Sequence, residues 1–424
     1  MKKFLIIFIV TLISPLLQGQ IAAIFSDEFP DLAKTRIGIV GDYDLNSNTF
    51  TNTFIKKFYT GGHIDAGMKN SISDRAKNKN RVGGNVNYGV YVAIKPDSAQ
   101  HKKKYISYFF SMRDRTHFDS HFSKDLFRVG FYGNSEYAGK TAYFNDFSLN
   151  LIRYQQLQVG IFSSKVDSAA RWGLGISFLK GESYLSVHAP KAELYTSEDG
   201  QYIDFATEMS VNMSDTAKKG LGAFNGFGAS LDVYFEAPFQ TRFGNSKLRL
   251  AVSDIGFIRF NKQSLTLQQD TVFHYTGFQV NSFYDLQDST YGSTSQDSIV
   301  NTVAPFKKKA FSANLPSILD LTYETQFSKR FYLTEGIRYV FNANYSLLGY
   351  IKGTFYLNPK FMLSATFGYG GYGGYGNFNY GLGLFANFGH GVVLYAGSNN
   401  IEGYLTPKTN AGQGVYISLI KNFK

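Results

Sequence analysis

The sequence predicts an all-β protein: a transmembrane antiparallel β-barrel of about fourteen strands, within roughly 12 to 16, behind an export signal. Three observations predict it. Phe 40, Tyr 30 and Gly 42 make up about a quarter of the 424 residues while Pro is only 9, which suits pleated surfaces and close backbone approaches and excludes collagen and disordered linkers. Apolar residues recur at every second position along most of the chain. The length exceeds one ordinary globular core yet fits a single large closed sheet.

The first element is the export signal. Met1, Lys2 and Lys3 give a positive start, Phe4 to Leu17 is apolar but too short to span a bilayer, and Gln18, Gly19 and Gln20 lead into polar sequence, so residues 1–19 read as a cleaved signal peptide. Loss of the two lysines lowers the net charge from +11 to +9. A basic exported protein meets outer-membrane lipid and lipopolysaccharide before it meets nucleic acid, which is not expected as a partner. The absence of cysteine excludes zinc–thiolate sites, iron–sulfur clusters, thiol nucleophiles and disulfide scaffolds. A mean hydropathy of -0.18, with no long apolar run after the N-terminus, argues against membrane-spanning helices.

Residues 20–60 are less regular and are expected to pack in the lumen as a plug, with the barrel over 61–424. From Asn85 to Ile94 one face reads Val86, Tyr88, Val90, Val92, Ile94 and the other Asn85, Asn87, Gly89, Tyr91, Ala93. The same period of two holds for Ile106 to Met112, Trp172 to Phe178, Ile203 to Val211, Phe227 to Phe235 and Leu319 to Phe327, with Phe127 to Phe131, Leu157 to Ile161 and Leu248 to Val252 as further strand candidates. The last hundred residues are the cleanest: Phe331 to Phe341, Tyr345 to Tyr356, Phe361 to Tyr369, Phe378 to Phe388, Val392 to Ser398 and Val415 to Phe423, joined by short hairpin breaks. Several reach the roughly nine to eleven residues that a tilted membrane strand needs.

Alternation alone does not say which face points outward. The signal peptide, the size of the sheet and an aromatic content of 17% favour an outer-membrane barrel with Tyr and Phe girdles over a soluble sandwich. In the last strand Val415, Ile417, Leu419 and Phe423 alternate to an aromatic, resembling the C-terminal signal read by barrel-assembly machinery, although Lys424 follows it. Ser73 to Arg81, Lys95 to Lys104, Asp114 to Ser123 and Asp285 to Ser298 read as polar, charge-rich loops of the extracellular kind.

Three segments carry a family resemblance. Phe122 to Phe144, with Gly133-Asn134 and Ala138 to Lys140, resembles part of a Bacteroidota family of outer-membrane barrels of unknown function. Trp172 to Ala189 resembles that family's glycine-punctuated strand pair, and Ser253 to Phe260 its Asp-Ile-Gly segment. The wider kinship is to FadL-like and PorV-like barrels, which implies about fourteen strands and an N-terminal hatch but carries no site residue. Asp254 interrupts the outward run Leu248, Leu250, Val252 and reads as a bulge or a lumen-facing carboxylate.

Candidates for chemistry are few, and no catalytic, cofactor-binding or metal site is assigned. His117, Asp119 and His121 could share one strand face, but a surface loop is the favoured reading. Asp42, Asp44 and Asn46 begin like a calcium loop, but Ser47 and Thr53 break the pattern at its sixth and twelfth positions. Tyr369 to Phe378, rich in glycine, reads as a hairpin tip with stacked tyrosines rather than a phosphate cradle. The basic runs Arg75 to Arg81, His101 to Lys104 and Lys307 to Lys309 read as solvated loop charge, with lipid phosphate as the next option. Two non-enzymatic functions remain: a PorV-like scaffold in secretion or surface-protein assembly, partnered by other envelope proteins, and a FadL-like conduit for a hydrophobic or small polar solute.

Overall fold

The computed structural model describes residues 34–95, 106–163, 170–276 and 306–423. The signal peptide and the loop Asp285 to Ser298 lie outside these residues, as does most of Lys95 to Lys104. The strands are β1 (Thr35–Ser47), β2 (Asn80–Ile94), β3 (Ile106–Phe122), β4 (Lys140–Tyr143), β5 (Phe147–Ser163), β6 (Arg171–Thr196), β7 (Ile203–Met213), β8 (Gly226–Thr241), β9 (Gly244–Phe260) and β10 (Leu265–Tyr275). They continue as β11 (Lys307–Lys308), β12 (Phe311–Asn314), β13 (Ile318–Gln326), β14 (Phe331–Val340), β15 (Ser346–Asn358), β16 (Phe361–Gly371), β17 (Phe378–Gly389), β18 (Val392–Ser398) and β19 (Gln413–Phe423).

Fourteen of these close into one antiparallel ring, β1-β2-β3-β5-β6-β8-β9-β13-β14-β15-β16-β17-β18-β19, because β19 pairs back onto β1 from Thr35↔Phe423 to Leu45↔Gln413. Closure satisfies the backbone donors and acceptors that an open edge would leave bare in lipid. The period of two sorts the side chains as it must: Val90, Phe110, Val159 and Ile176 point outward and are exposed, whereas Tyr91, Ser111, Gln158 and Ser177 point inward and are buried. An exposed apolar face of this extent belongs to a sheet that looks at hydrocarbon.

The two ends differ. At one lie Thr35, Phe423 and the short turns Arg242-Phe243, Phe327–Arg330, Pro359-Lys360 and His390-Gly391. The last is held by positive φ at both central residues, 49° and 78°, the hairpin geometry that matches strand twist and that glycine supplies readily. Short turns mark the periplasmic end of an outer-membrane barrel, and exposed aromatics including Trp172, Phe239, Phe331, Phe361 and Phe388 ring it. The opposite, extracellular end carries the long connections. There β6 runs on past Gly181, leaves β8 and pairs with β7, β7 pairs with β10 and β10 with β11, while β4 flanks β6 on its other side. β12 shares a wall position with β13.

Among the described residues, three helices of two or more turns pack on this superstructure: α1 (Asn52–Thr60), α2 (Ala66–Arg75) and α3 (Lys124–Tyr132), capped by the side chains of Thr51, Asp65 and Ser123. They form a lobe on the outer face of the wall. Phe54, Ile72 and Phe127 pack with Val82, Phe122 and Phe147, which have the outward parity of their strands. On β1, Leu45 has the outward parity of Ile39 yet is 2% exposed where Ile39 is 56% exposed.

Several expectations are corrected. Residues 20–60 do not form a plug as far as they are described: Thr35–Ser47 is the first wall strand and Asn52–Thr60 is α1, so the barrel begins well before residue 61. Asp114 to Phe122 is the upper half of β3, followed by Ser123 as a helix cap, with Arg115, His117, Asp119 and His121 facing the lumen and Asp114 facing outward to Arg153 rather than forming a loop. Ser73 to Arg81 is the end of α2 and the start of β2, and Lys95 leaves the barrel at the short-turn end. Phe127 to Phe131 is helical because Ser123 caps a turn that buries Phe127. Ile203 to Val211 belongs to the extension, outside the ring, and Trp172 to Ala189 lies within one 26-residue strand rather than a strand pair.

Candidate functional site in the barrel lumen

The inward side chains fill the barrel with an apolar layer and with paired charges on either side of it. Near the periplasmic end Val40, Tyr91, Phe109, Tyr234, Phe385 and Ile420 come from strands all around the ring and pack as one apolar cluster across the lumen. Above it lies a charged layer. Arg115 Nη1 donates to both carboxylate oxygens of Asp254 at 2.6 and 2.5 Å, across the lumen from β3 to β9. On the periplasmic side of Tyr234 and Ala251 of that cluster, Arg249 donates to Glu236 at 2.6 Å and to Glu324 at 3.3 Å. Arg338 binds Asp320 through Nε at 2.8 Å, and Tyr350 Oη donates to the same carboxylate at 3.0 Å. Buried opposite charges held by hydrogen bonds in this way fix one arrangement of the wall. Arg113, 3% exposed, lies on β3 two residues from Arg115, and its Nε and Nη1 meet no acceptor among the described residues.

Asp254 occupies the position expected of it. Its φ of 61°, with the shift of register between Leu231 and Val233, marks a bulge that turns the carboxylate inward, and its own N–H donates to Asp232 Oδ1 at 2.8 Å. Asp42, Asp44 and Asn46, where the calcium-loop pattern fails, are successive inward residues of β1. Asp42 accepts from Asn87 and Asp44 from Asn400, each at 2.6 Å. These groups line a cavity of about 110 Å³ together with Asn85, Arg115 and Arg338.

The histidine cluster is a correction in place rather than in chemistry. His117, Asp119 and His121 lie on the inward face of β3, not on a surface loop. His117 Nε2 is 2.9 Å from Asp119 Oδ2 and Nδ1 is 2.7 Å from Asn85 Oδ1, while His121 Nδ1 meets the Asp146 carbonyl at 2.8 Å. Among the described residues no group of these side chains is arranged to hold a metal ion. A second cavity, about 240 Å³, opens beside His117 and is lined by Asn150, Tyr184, Asn314 and Asn342.

The glycine-rich turn after β16 closes the top. Tyr369 packs against Tyr375 and Phe378 at 5.5 and 4.9 Å, so the segment is a hairpin tip as expected, with its rings tilted by 39° and 36° rather than stacked. Tyr372 turns inward instead, edge-on to Tyr345 at 4.8 Å and with its Oη 3.5 Å from His117 Nε2. Gly83 admits this ring, since a Cβ there would stand 2.3 Å from it. Between β18 and β19, the single-turn helix α4 (Glu402–Leu405) holds a buried carboxylate that accepts from the Tyr380 N–H at 2.9 Å. Burial pushes the Glu402 carboxyl up to about 7 against the lowering effect of that bond.

The lumen residues missed from sequence are Arg113, just past the strand candidate that ends at Met112, Arg115, hidden in a stretch dense enough in charge to look like a loop, and Tyr372. Asp232, Asp320 and Glu324 stand on the non-apolar parity of their strands and were visible there.

A protein family described as a family of unknown function, DUF5723, matches residues 34–399. No curated protein matches. Among solved structures the chain is similar to the TodX deltaS2S3 mutant monoaromatic hydrocarbon channel, at 10% identity and a TM-score of 0.44 over 98% of each chain. It is also similar to a Pseudomonas aeruginosa FadL homologue at 9% and 0.40, over 92% of this chain and 91% of that one. The translocator domain of the Neisseria meningitidis autotransporter NalP follows at 7% and 0.36, over 95% and 93%. These similarities are too distant to carry an activity.

Proposed function

The chain belongs to the DUF5723 family, and we propose that it is a non-enzymatic outer-membrane barrel, closed at rest, that works by interaction through its extracellular superstructure. The observation that carries this reading is the closure of the lumen by an apolar layer with paired charges on both sides of it, Arg115–Asp254 and Arg338–Asp320 above and Arg249–Glu236 below. The long connections gather at one end, where the lobe and the β6-β7-β10 extension present surface to an envelope partner. A PorV-like scaffold in secretion or surface-protein assembly is the specific form proposed, with export by the segment 1–19. The test is mild detergent extraction with cross-linking, alongside reconstitution into liposomes. A stable envelope-protein partner and no ion conductance are expected. Conductance at rest with no partner would overturn the proposal.

A conduit for a small polar solute is the second reading. It is favoured by the two polar cavities, one lined by Asn85 and the other by His117, whose side chains meet at 2.7 Å. Solute uptake by the same liposomes would select it.

A further inference from the structure

We propose that α1 is an interfacial anchor, seated in the headgroup zone of the outer leaflet with Phe58 and Tyr59 at the acyl boundary and Lys56 on lipid phosphate. The outer wall shows where hydrocarbon stops. Above the apolar Val90, Met112, Leu157 and Phe178, the outward positions become Asp114, Arg153 and Lys180, with Arg153 Nη2 3.2 Å from Asp114 Oδ2. Charge at outward positions marks the top of the lipid-facing band. Tyr88 pairs with Asp114 at that level and with Gly41 of β1. Tyr43, the next outward residue of β1, reaches the Tyr59 hydroxyl at 3.4 Å and donates to Gln413 at 3.1 Å. The helix therefore meets the wall one outward residue beyond the edge of the apolar band.

The face that α1 turns away from the wall is what an interface selects. Phe54 and Ile55 are buried, whereas Phe58 is 64% and Tyr59 50% exposed, next to exposed Lys56. Leu405 of α4, 77% exposed, extends the patch, since Asn52 Nδ2 ties α1 to the Gly403 carbonyl at 2.6 Å. The segment 48–79 carries six basic residues against two acidic ones, a balance matched to the phosphates of an outer leaflet. Aromatic residues beside lysines at the rim of an apolar band have the make-up of an amphipathic helix lying in the membrane surface.

The chain has one tryptophan, Trp172, at the periplasmic end, so Phe58→Trp in a Trp172→Phe background reports on α1 alone. The protein is reconstituted in vesicles of phosphatidylcholine and phosphatidylglycerol with acyl chains brominated near the headgroup. Short-wavelength emission quenched at least twofold by bromine is expected, with the quenching reduced by Lys56→Glu. Long-wavelength emission quenched by aqueous iodide and untouched by bromine would overturn the anchor, and quenching indifferent to Lys56→Glu would overturn the phosphate contact. Tyr59→Trp gives the same readout should Phe58→Trp fail to fold, with folding checked by heat-dependent gel mobility.

Discussion

Single residues set the cost of disturbing this barrel, and the Arg115–Asp254 pair is the clearest case. Asp254 is fully buried, so Arg115→Ala leaves a carboxylate without its cation and is expected to destabilise by about 3–5 kcal/mol, measured by denaturant unfolding in micelles. Arg115→Met with Asp254→Leu is expected to cost less than Arg115→Ala alone; an equal or larger cost would show that the pair does not act as a unit. Glu402 gives a pH dependence of known sign. Its carboxyl is raised from the ordinary 4.5 to about 7, so the stability it contributes is full below about pH 4.5 and is lost as pH rises through about 7. The thermal midpoint should fall between pH 5 and pH 8 more steeply in the wild type than in Glu402→Gln, and parallel curves would remove Glu402 from the account. Legibility at this scale followed parity. Asp254 announced itself by breaking an apolar run, but nothing local to Arg113 or Arg115 distinguished a wall strand from a loop.

At the scale of elements, sequence periodicity found the strands that face lipid along their length and faltered where neighbours cover the outer face. Asp114 to Phe122 loses its apolar parity because the lobe and the Arg153 pair meet it there, and so it read as a loop. The helices are nine or ten residues long, too short for a 3.6-residue period to outweigh phenylalanines that look equally at home in strands. Their stability comes from packing. Phe54 is fully buried and stacks on Phe50 at 5.1 Å with Phe131 edge-on at 5.5 Å, so Phe54→Ala should loosen the lobe by about 3–5 kcal/mol while the hydrogen-bonded ring persists. Limited trypsin digestion checks this: cleavage at Lys56, Lys57 and Lys69 should accelerate with heat-dependent gel mobility unchanged. Loss of both together would mean that the lobe and the ring are one cooperative unit.

For the whole molecule, the assignment of outside and inside is a physical choice that the alternation alone left open. A closed ring of fourteen strands admits either sign: oily residues inward around a core, or outward into lipid with polar residues filling the lumen. The structure takes the second, and adjacent residues on β6 test it. Ile176 is 57% exposed at the level of the apolar band, whereas Ser177 is 2% exposed and its hydroxyl accepts from Gln156 Nε2 at 2.9 Å in the lumen. Ile176→Arg places a charge in hydrocarbon and should cost about 2–4 kcal/mol in a lipid bilayer. Ser177→Ala removes one buried hydrogen bond and should cost about 1 kcal/mol. Folding in vesicles against urea measures both, and the contrast should weaken in short-chain detergent, which shields an outward arginine better than a bilayer does. If Ile176→Arg were neutral in the bilayer, its face of β6 would have to meet water or protein instead of lipid, and the lumen would lose its claim to the charged layer.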